Sequence, residues 1–289
     1  MNICVCIKQG PDTNRIKIDP VTNTLVRKGV PSIINPFDTY AVEMAANLKE
    51  RFGGTVIVMS MGPEQALGAL RVCLSVGADE AYLISDRAFG GSDTLATGYI
   101  IAGAIRHIEK LEGIKFDVIM CGKQAIDGDT AQVGPQVAQK LGLNQVTYAE
   151  EILGIENGVA TIRRHIDGGV ETVTVPLPVL ITVNGSAAPC RPQNAKLVMK
   201  YKYATCPMER PEDDPRADLY AGRPYLTLNQ WSVADVDGDP AQCGLAGSPT
   251  KVKTVQNIVF QAKESKTLTA ADADVEGLIK ELLDEKIIG

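Results

Sequence analysis

Residues 122–135 read GKQAIDGDTAQVGP, and the architecture of the chain can be inferred outward from them. The run at 117–122 that leads into this stretch has the length and apolar content of a buried β-strand. After it, Val133, Val137 and Leu141 recur every four residues, as on the core-facing side of a helix. A strand that passes through a glycine-containing turn into a helix is the repeating unit of a parallel α/β sheet.

The same alternation of short apolar runs and helix-length patterns extends in both directions along the chain. It predicts strands at 3–8, 55–61, 80–84, 117–122 and 179–183, and helices at 38–51, 63–76, 93–112 and 130–141. A β-hairpin fits 159–175, with Asp167, Gly168 and Gly169 as its turn. We therefore predict an α/β domain with a parallel sheet over residues 1–200.

The character of the sequence changes after residue 200. The stretch 205–226 is rich in proline and charge and has little apolar periodicity, so it is too polar to build a second core. We predict an extended C-terminal arm over 201–289, which ends in a helix at 272–286 and packs on a partner subunit. A flexible tail is the alternative. The packed arm is favoured by Trp231 and by four apolar positions near the end, Leu278, Ile279, Leu282 and Leu283.

Charge and composition exclude several classes of function. A net charge of −6 over 289 residues does not indicate the basic surface that binding to nucleic acid requires. No apolar run approaches the ~18 residues that a membrane span needs. The first residues lack the basic and small-residue features of a signal peptide, so we expect a cytoplasmic protein.

Side-chain catalysis and metal binding find little support in the sequence. The seven cysteines include no Cys-x-x-Cys pair, which argues against a disulfide framework and against zinc or iron–sulfur sites. Only two histidines, His107 and His165, are available for acid–base work, and neither lies in a nucleophile motif. We expect no catalytic residue and no metal site.

Ligands of an open parallel sheet bind beyond the carboxyl ends of its strands, where the following helices begin. Five segments have this position and are expected to meet at one edge: 8–13, 35–38, 61–63, 90–94 and 122–135. In the second of them, Asp38 is predicted to cap the helix at 38–51.

Segment 122–135 has the features of a phosphate-binding turn. Gly122 allows close approach of the backbone as the strand ends, and Gly128 supplies a tight turn between two acids. Asp129 or Thr130 is predicted to cap the following helix. The unpaired amides and the dipole at the start of that helix suit a phosphate or pyrophosphate.

Three side chains of this segment add to its binding capacity. Lys123 supplies a positive charge, while Gln124 and Gln132 can donate to, or accept from, a sugar or a flavin edge. An ordinary capped helix without a ligand is the alternative interpretation.

Several motifs together resemble the β subunit of electron-transfer flavoproteins. They are ICVCIKQGPDTN at 3–14, INPFDTYAVEMAANLKE at 34–50, GKQAIDGDTAQVGPQVAQKLG at 122–142 and GLAGSPTKV at 244–252. The resemblance implies a three-layer α/β domain with a mostly parallel sheet and an adenine-nucleotide α-hydrolase-like (Rossmann-like) fold. A C-terminal arm that embraces the family's α subunit is implied with it. It also implies a subunit of an electron-transfer complex rather than a stand-alone enzyme.

The family has two branches, and they differ in the nucleotide that the β subunit holds. One branch holds a structural AMP; the other, electron-bifurcating branch holds FAD, which exchanges hydride with NAD(H) and serves a low-potential acceptor such as ferredoxin or flavodoxin. Gly128, Thr130 and Ala131 resemble the second branch because they would leave room for the rest of an FAD, and Asp93 and Thr94 also resemble it. AMP remains the alternative, and a stress-type ATP-binding protein of similar fold, with neither arm nor flavin, is a third class.

The resemblance also implies a set of binding residues. It places FAD against Cys6, Ile7, Lys8, Asn35, Phe37, Asp38, Met61, Gly62, Gly122, Lys123, Gln124, Asp127, Gly128, Asp129, Thr130, Ala131, Gln132 and Val133. It places Gln9, Gly10, Pro11, Thr94 and Thr97 nearer the flavin ring and the nicotinamide.

One departure from the family concerns the partner dehydrogenase. Branches that serve acyl-CoA dehydrogenases carry a loop similar to Arg-Tyr-x-x-Leu-Pro-x-x-Met-x-Ala, in which the leucine anchors the complex. Here residues 191–201 read RPQNAKLVMKY. Ala195 stands at the position of the family's anchoring leucine, and Lys196 stands at the position of its proline. Because a few buried anchors carry most of the affinity of an interface, we expect a different partner, such as a flavin-dependent 2-hydroxy acid (lactate-type) dehydrogenase.

Overall fold

The computed structural model describes residues 1–11, 32–251 and 265–288. The chain divides into two compact units, Met1–Lys253 and Thr254–Gly289.

The first unit is built on a mostly parallel sheet. Its strands are β1 (Asn2–Ile7), β2 (Gln9–Pro11), β3 (Ser32–Ile34), β4 (Thr55–Met61), β5 (Glu80–Ile84), β6 (Val118–Gly122), β7 (Asn144–Glu156), β8 (Val159–Ile166), β9 (Gly169–Pro176), β10 (Val179–Val183) and β11 (Asn229–Trp231). Nine of them form one sheet in the order β11-β5-β4-β1-β6-β10-β7-β8-β9, and β2 pairs with β3 separately. The strands from β11 to β7 are parallel, whereas β7, β8 and β9 form an antiparallel extension.

Helices cover both faces of the sheet, so the predicted three-layer α/β architecture is confirmed. The helices of this unit are α1 (Pro36–Phe52), α2 (Leu67–Val76), α3 (Thr94–Glu112), α4 (Val133–Leu141), α5 (Ala195–Tyr201), α6 (Ala217–Gly222) and α7 (Gly244–Gly247). Buried side chains of α1 and α2 share one apolar core with β1 and β4. Buried side chains of α3 and α4 form the core on the opposite face.

The central strands agree closely with the predictions. The strands predicted at 55–61, 80–84 and 179–183 have the observed bounds of β4, β5 and β10. The strand predicted at 3–8 differs from β1 by one residue at each end, and the one at 117–122 differs from β6 by one residue at its start. These strands are buried on both faces, which makes them continuous apolar runs in the sequence.

The antiparallel extension is longer than predicted. Its strands β8 and β9 correspond to the hairpin predicted at 159–175, but the preceding 13-residue strand β7 was missed. Strand β7 is buried only at Val146, Ala149 and Ile152, which are three residues apart, and it carries four glutamates or glutamines. It therefore shows neither the apolar run of a buried strand nor the strict alternation of a half-buried one.

Residues 201–251 belong largely to the first unit, which differs from the predicted boundary at 200. Strand β11 extends the sheet beside β5, and the Trp231 ring contacts those of Tyr82 and His107, with centroid distances of 4.7 and 4.5 Å. The cover over Trp231 that we expected from a partner is therefore supplied by the chain itself. The proposed contact of the arm with a partner stays a prediction.

The second unit contains one described helix, α8 (Asp272–Asp284), close to the predicted 272–286. Leu278, Ile279 and Leu283 on this helix are 40%, 46% and 50% exposed. Within the described parts of the chain, no helix combines the length and apolar character that crossing a membrane requires.

Candidate functional site

The site lies at the carboxyl edge of the sheet, where β1 has β4 on one side and β6 on the other. The chain proceeds from β1 to β4 and β5 in one direction and then returns to place β6 on the opposite side of β1. Such a reversal of strand order separates the loops that follow the two neighbouring strands and leaves a crevice between them. Segments 8–11 and 123–132 border this crevice.

Asp38 joins the two sides of the crevice. It is buried in the first turn of α1, where its Oδ2 accepts the amide of Lys8 (2.6 Å) and its Oδ1 accepts the amide of Gly122 (2.9 Å). The predicted cap is wrong: α1 begins at Pro36 after Asn35, and both carboxylate oxygens of Asp38 are used by the ends of β1 and β6. Burial raises the pKa of Asp38 to about 6, against the lowering effect of its hydrogen bonds.

Asn35 holds the following turn. Its Nδ2 donates to the carbonyl of Gln124 (2.8 Å) and its Oδ1 accepts the amide of Ile126 (3.2 Å). Its own amide donates to the carbonyl of Lys8 (2.8 Å). This buried residue thus satisfies three backbone groups and fixes the distance between the loops after β1 and β6.

An ion pair crosses the mouth of the crevice. Lys8 Nζ lies 2.6 Å from Asp127 Oδ1, and the Lys8 side chain is 39% exposed while that of Asp127 is 6% exposed. The Lys123 ammonium instead lies 5.0 Å from the centroid of the Phe37 ring and 5.9 Å from that of Tyr148. Among the described residues, the positive charge paired with Asp127 therefore comes from Lys8.

Gly122 is required by the close approach of α1. A β-carbon at this position would lie 2.5 Å from Asp38 Oδ1 and 2.6 Å from the backbone carbon of Phe37. The close backbone approach expected at Gly122 is therefore present, and it is made to the chain's own helix.

The segment after Gly128 does not form the predicted helix start. Asp129 and Ala131 have φ angles of 50° and 52°, in the left-handed region, so the backbone turns before α4 begins at Val133. Gln132 is the N-cap residue and makes no side-chain cap, while Asp129 Oδ1 accepts Gln124 Nε2 (2.7 Å). The predicted cap by Asp129 or Thr130 is therefore wrong. The first turn of α4 keeps uncapped amides, which favour an anionic ligand.

A second polar group connects α3 with α4. Asp93 caps α3, and Thr94 Oγ1 donates to Gln132 Oε1 (3.0 Å). Gln136 Nε2 donates to the same Thr94 oxygen (3.2 Å). Sequence analysis missed Gln136; the one signal for it is that it follows Gln132 by one helical turn.

The remaining predicted residues lie at the same edge without joining these networks. Gln9, Gly10 and Pro11 form β2, whose partner β3 was not predicted; Met61 and Gly62 end β4, and Thr97 lies in the first turns of α3. Thr130 and Val133 flank the start of α4. Asp12 and Thr13 of segment 8–13, and Val252 of the 244–252 motif, lie outside the described residues.

Cys6 and Ile7 end β1, and neither offers a reactive group. Ile7 is buried, and Cys6 is the register neighbour of Cys121 on β6. The hydrogen bond with Cys4 and burial hold the pKa of the Cys6 thiol well above its ordinary value, and burial does the same for the pKa of Cys121. Both thiols therefore stay protonated at neutral pH, and a thiol is a poor nucleophile.

Two observations support a nucleotide in the crevice. The side-chain oxygen Oε1 of Gln9 is buried without a hydrogen-bond partner among the described residues, although buried acceptors are normally paired. At Gly128 no atom lies within 4 Å of the place that a β-carbon would occupy. An open turn, a free acceptor and an uncapped helix start are features of a nucleotide-binding α/β protein.

Comparison with known proteins identifies the family. Residues 22–205 match the electron transfer flavoprotein domain. The electron transfer flavoprotein subunit beta of Clostridium acetobutylicum is 45% identical over 253 residues, which cover 88% of this chain and 86% of that protein. Protein FixA of Azotobacter vinelandii is 42% identical over 286 residues, with 98% and 93% covered. The caffeyl-CoA reductase-Etf complex subunit CarD of Acetobacterium woodii is 45% identical over 258 residues, with 87% and 86% covered. The chain belongs to the electron-transfer flavoprotein family, on the β-subunit side.

Asp38 is expected to make stability depend on pH. Its folded pKa of about 6 lies above the ordinary 3.8, so the folded chain binds more protons between these values and loses stability as pH rises through them. Two pK units correspond to about 3 kcal/mol. We expect the unfolding free energy of the native chain, relative to Asp38→Asn, to fall by up to that amount between about pH 4 and pH 7. Urea unfolding of both proteins across this range measures it, and a pH-independent difference would contradict the assignment.

Proposed function

We propose that this chain is the β subunit of an electron-bifurcating electron-transfer flavoprotein and holds FAD in the crevice between segments 8–11 and 123–132. In this proposal the site exchanges hydride with NAD(H). With the α subunit, it distributes electrons between a low-potential carrier, such as ferredoxin or flavodoxin, and a flavin dehydrogenase. The observation that carries the proposal is the open space at Gly128, because a smaller nucleotide such as AMP does not require it.

FAD supplies the redox chemistry, since it accepts a hydride as an electron pair and can release electrons singly. The protein supplies binding and orientation. The uncapped amides of α4 suit the pyrophosphate, and the exposed Gln132 amide adds side-chain donors beside them. Lys8 and Asp127 form the rim, and the buried Asn35 and Asp38 hold the two loops at a fixed distance.

The direct test is purification of the native complex, with the flavin counted per αβ pair. The proposal expects two flavins per pair, one of them in this chain, and oxidation of NADH. Nucleotides released by denaturation are separated and identified, because a flavin absorbs near ~450 nm and AMP does not. One flavin and one AMP per pair would overturn the proposal in favour of the AMP-binding branch.

Our proposal for the partner dehydrogenase is based on the residues at the start of α5. Asn194 caps this helix by accepting the Lys196 amide (2.9 Å), so Ala195 and Lys196 are held at an exposed helix start. A methyl group at 195 cannot fill a pocket shaped for leucine, and Lys196 adds a charge at its rim. Loss of one buried anchor typically costs about 2 kcal/mol, roughly thirtyfold in affinity.

We therefore expect the complex to couple weakly to acyl-CoA dehydrogenases and to serve another flavin dehydrogenase, for which a 2-hydroxy acid (lactate-type) enzyme is our proposal. Pull-down from native extract with mass spectrometry tests this, and Ala195→Leu is the matched variant expected to raise binding of an acyl-CoA dehydrogenase. One relative is named as a subunit of a caffeyl-CoA reductase complex. Stoichiometric recovery of an enzyme acting on CoA esters with the native chain would show that the interpretation of Ala195 is wrong.

A further inference from the structure

A chain of hydrogen bonds runs from α4 to α3 and back to α4 beside the crevice. Gln136 Nε2 donates to Thr94 Oγ1 (3.2 Å), and Thr94 Oγ1 donates to Gln132 Oε1 (3.0 Å). Gln132 and Gln136 lie one turn apart on α4, so both side chains reach the same residue of α3. The side-chain nitrogen of Gln132 has no acceptor among the described residues, and Gln132 is exposed.

The direction of this chain is set at Gln136. Its Oε1 is buried and has no donor in the described part of the molecule. Gln136 Nε2 is the group that faces Thr94, so Gln136 donates to the Thr94 hydroxyl. The hydroxyl, having accepted that bond, donates to Gln132 Oε1.

Gly98 fixes the position of Gln136. It follows Thr94 by one turn on α3, and a β-carbon there would lie 3.0 Å from Gln136 Cβ and 3.4 Å from Gln136 Oε1. The absence of a side chain at Gly98 thus lets Gln136 pack close enough to reach Thr94.

We propose that Gln136 is a positioning residue, which through the Thr94 hydroxyl holds the Gln132 amide with its NH2 group toward the bound nucleotide. This inference rests on the proposed nucleotide site and adds the residue that orients one of its donors. The Gln132 NH2 group then lies beside the uncapped amides of α4 and adds a side-chain donor to them. Phosphate and flavin-carbonyl oxygens are acceptors, and a reversed Gln132 amide would place its oxygen against them.

The test uses Gln136→Glu in the complete αβ complex. A carboxylate only accepts, so Thr94 must donate to the carboxylate introduced at position 136 and can no longer donate to Gln132. The Gln132 amide should then turn over and donate to Thr94. We expect about tenfold weaker binding of the nucleotide that the native complex carries, since a lost donor is worth about 1 kcal/mol and more when an acceptor replaces it. A bound flavin should also show a changed midpoint potential, and a change that the uncharged Gln136→Met variant shares comes from the lost hydrogen bond rather than from the added charge.

Two further variants make the result interpretable. Gln139→Glu introduces the same charge on the exposed side of α4, three residues away, and should leave affinity and potential unchanged. Gln136→Met has nearly the size of glutamine but no hydrogen bonds, so it should keep the fold, checked by thermal unfolding, and weaken binding about threefold.

The outcomes separate the two proposals. The nucleotide in the native complex is identified first. If it is AMP, the FAD assignment is overturned. The effect of Gln136 is then measured on the affinity for AMP. Equal dissociation constants for Gln136→Glu and Gln139→Glu, with equal potentials where a flavin is bound, would overturn the role of Gln136.

Discussion

Replacing Gly122 with alanine is expected to destabilise the chain by about 3–5 kcal/mol and to abolish nucleotide binding with it. The added β-carbon would lie 2.5 Å from Asp38 Oδ1 and 2.6 Å from both the backbone carbon and the β-carbon of Phe37. None of these atoms is the end of a mobile side chain: Asp38 is held by the amides of Lys8 and Gly122, and Phe37 belongs to the first turn of α1. Relief of the contact requires α1 to move away from β6, which breaks buried charge-assisted hydrogen bonds.

The matched control is Gly62→Ala at the end of β4. There the new β-carbon would meet only Ala66 Cβ, at 3.6 Å, an ordinary van der Waals distance. Urea unfolding of both variants measures the difference, and the Gly62 variant should stay within about 1 kcal/mol of the native chain. Equal stability of the Gly122 variant and the native chain would show that α1 does not approach β6 as described.

The fold was largely predictable because the central strands are buried on both faces. β4, β5 and β10 are continuous apolar runs whose ends coincide with polar or glycine residues. β7 was not predictable in this way, because only three of its thirteen residues are buried and they do not follow one another in the sequence. β2 and β3 have three residues each, too few for any periodicity to appear.

The meeting of the predicted segments at one edge of the sheet was predictable, but the contacts among them were not. The rule that ligands bind beyond the carboxyl ends of parallel strands selected the loops that border the crevice. The predictions of helix caps at Asp38 and Asp129 were wrong, although aspartate is a common cap residue. The hydrogen-bond donors to these two carboxylates lie elsewhere in the chain, not at the start of the following helix. Alanine rarely adopts a left-handed φ, so the sequence did not predict the turn at Ala131. Because of this turn, α4 begins at Val133.

Gln136 illustrates a more general limit. Its partner Thr94 is 42 residues away in the sequence, and the contact exists because α3 and α4 pack side by side. A glutamine on a helix is otherwise an ordinary exposed residue. Pairings of this kind depend on how two helices are placed on the sheet, and a single sequence contains no direct sign of them.

Gly128→Asn is expected to remove one flavin per αβ pair and to abolish NADH oxidation by the complex. A β-carbon at 128 would meet no atom of the described residues within 4 Å, and Gly128 does not have a left-handed φ. The substitution is therefore compatible with the fold, and its effect should come from the space that it takes from a bound nucleotide. Asparagine fills the volume that the proposal assigns to the part of FAD beyond its adenosine phosphate, so an AMP-sized ligand should still bind.

Gly169→Asn at the start of β9 is the matched control, because that glycine also has open space around it and no left-handed φ, and it lies in the antiparallel extension. The Gly169→Asn complex should unfold at the temperature of the native complex, and the Gly128→Asn complex should fall below it only by the stabilisation that the lost flavin contributes. Flavin per pair, released AMP and NADH turnover then separate the possibilities. Full flavin content with native turnover in Gly128→Asn would show that the space at 128 is not used by the nucleotide. Loss of one flavin with AMP in its place would show that this single position distinguishes the two branches of the family. The distinction is steric, because the remaining groups that hold the loops, Asn35 and Asp38 among them, are unchanged by the substitution.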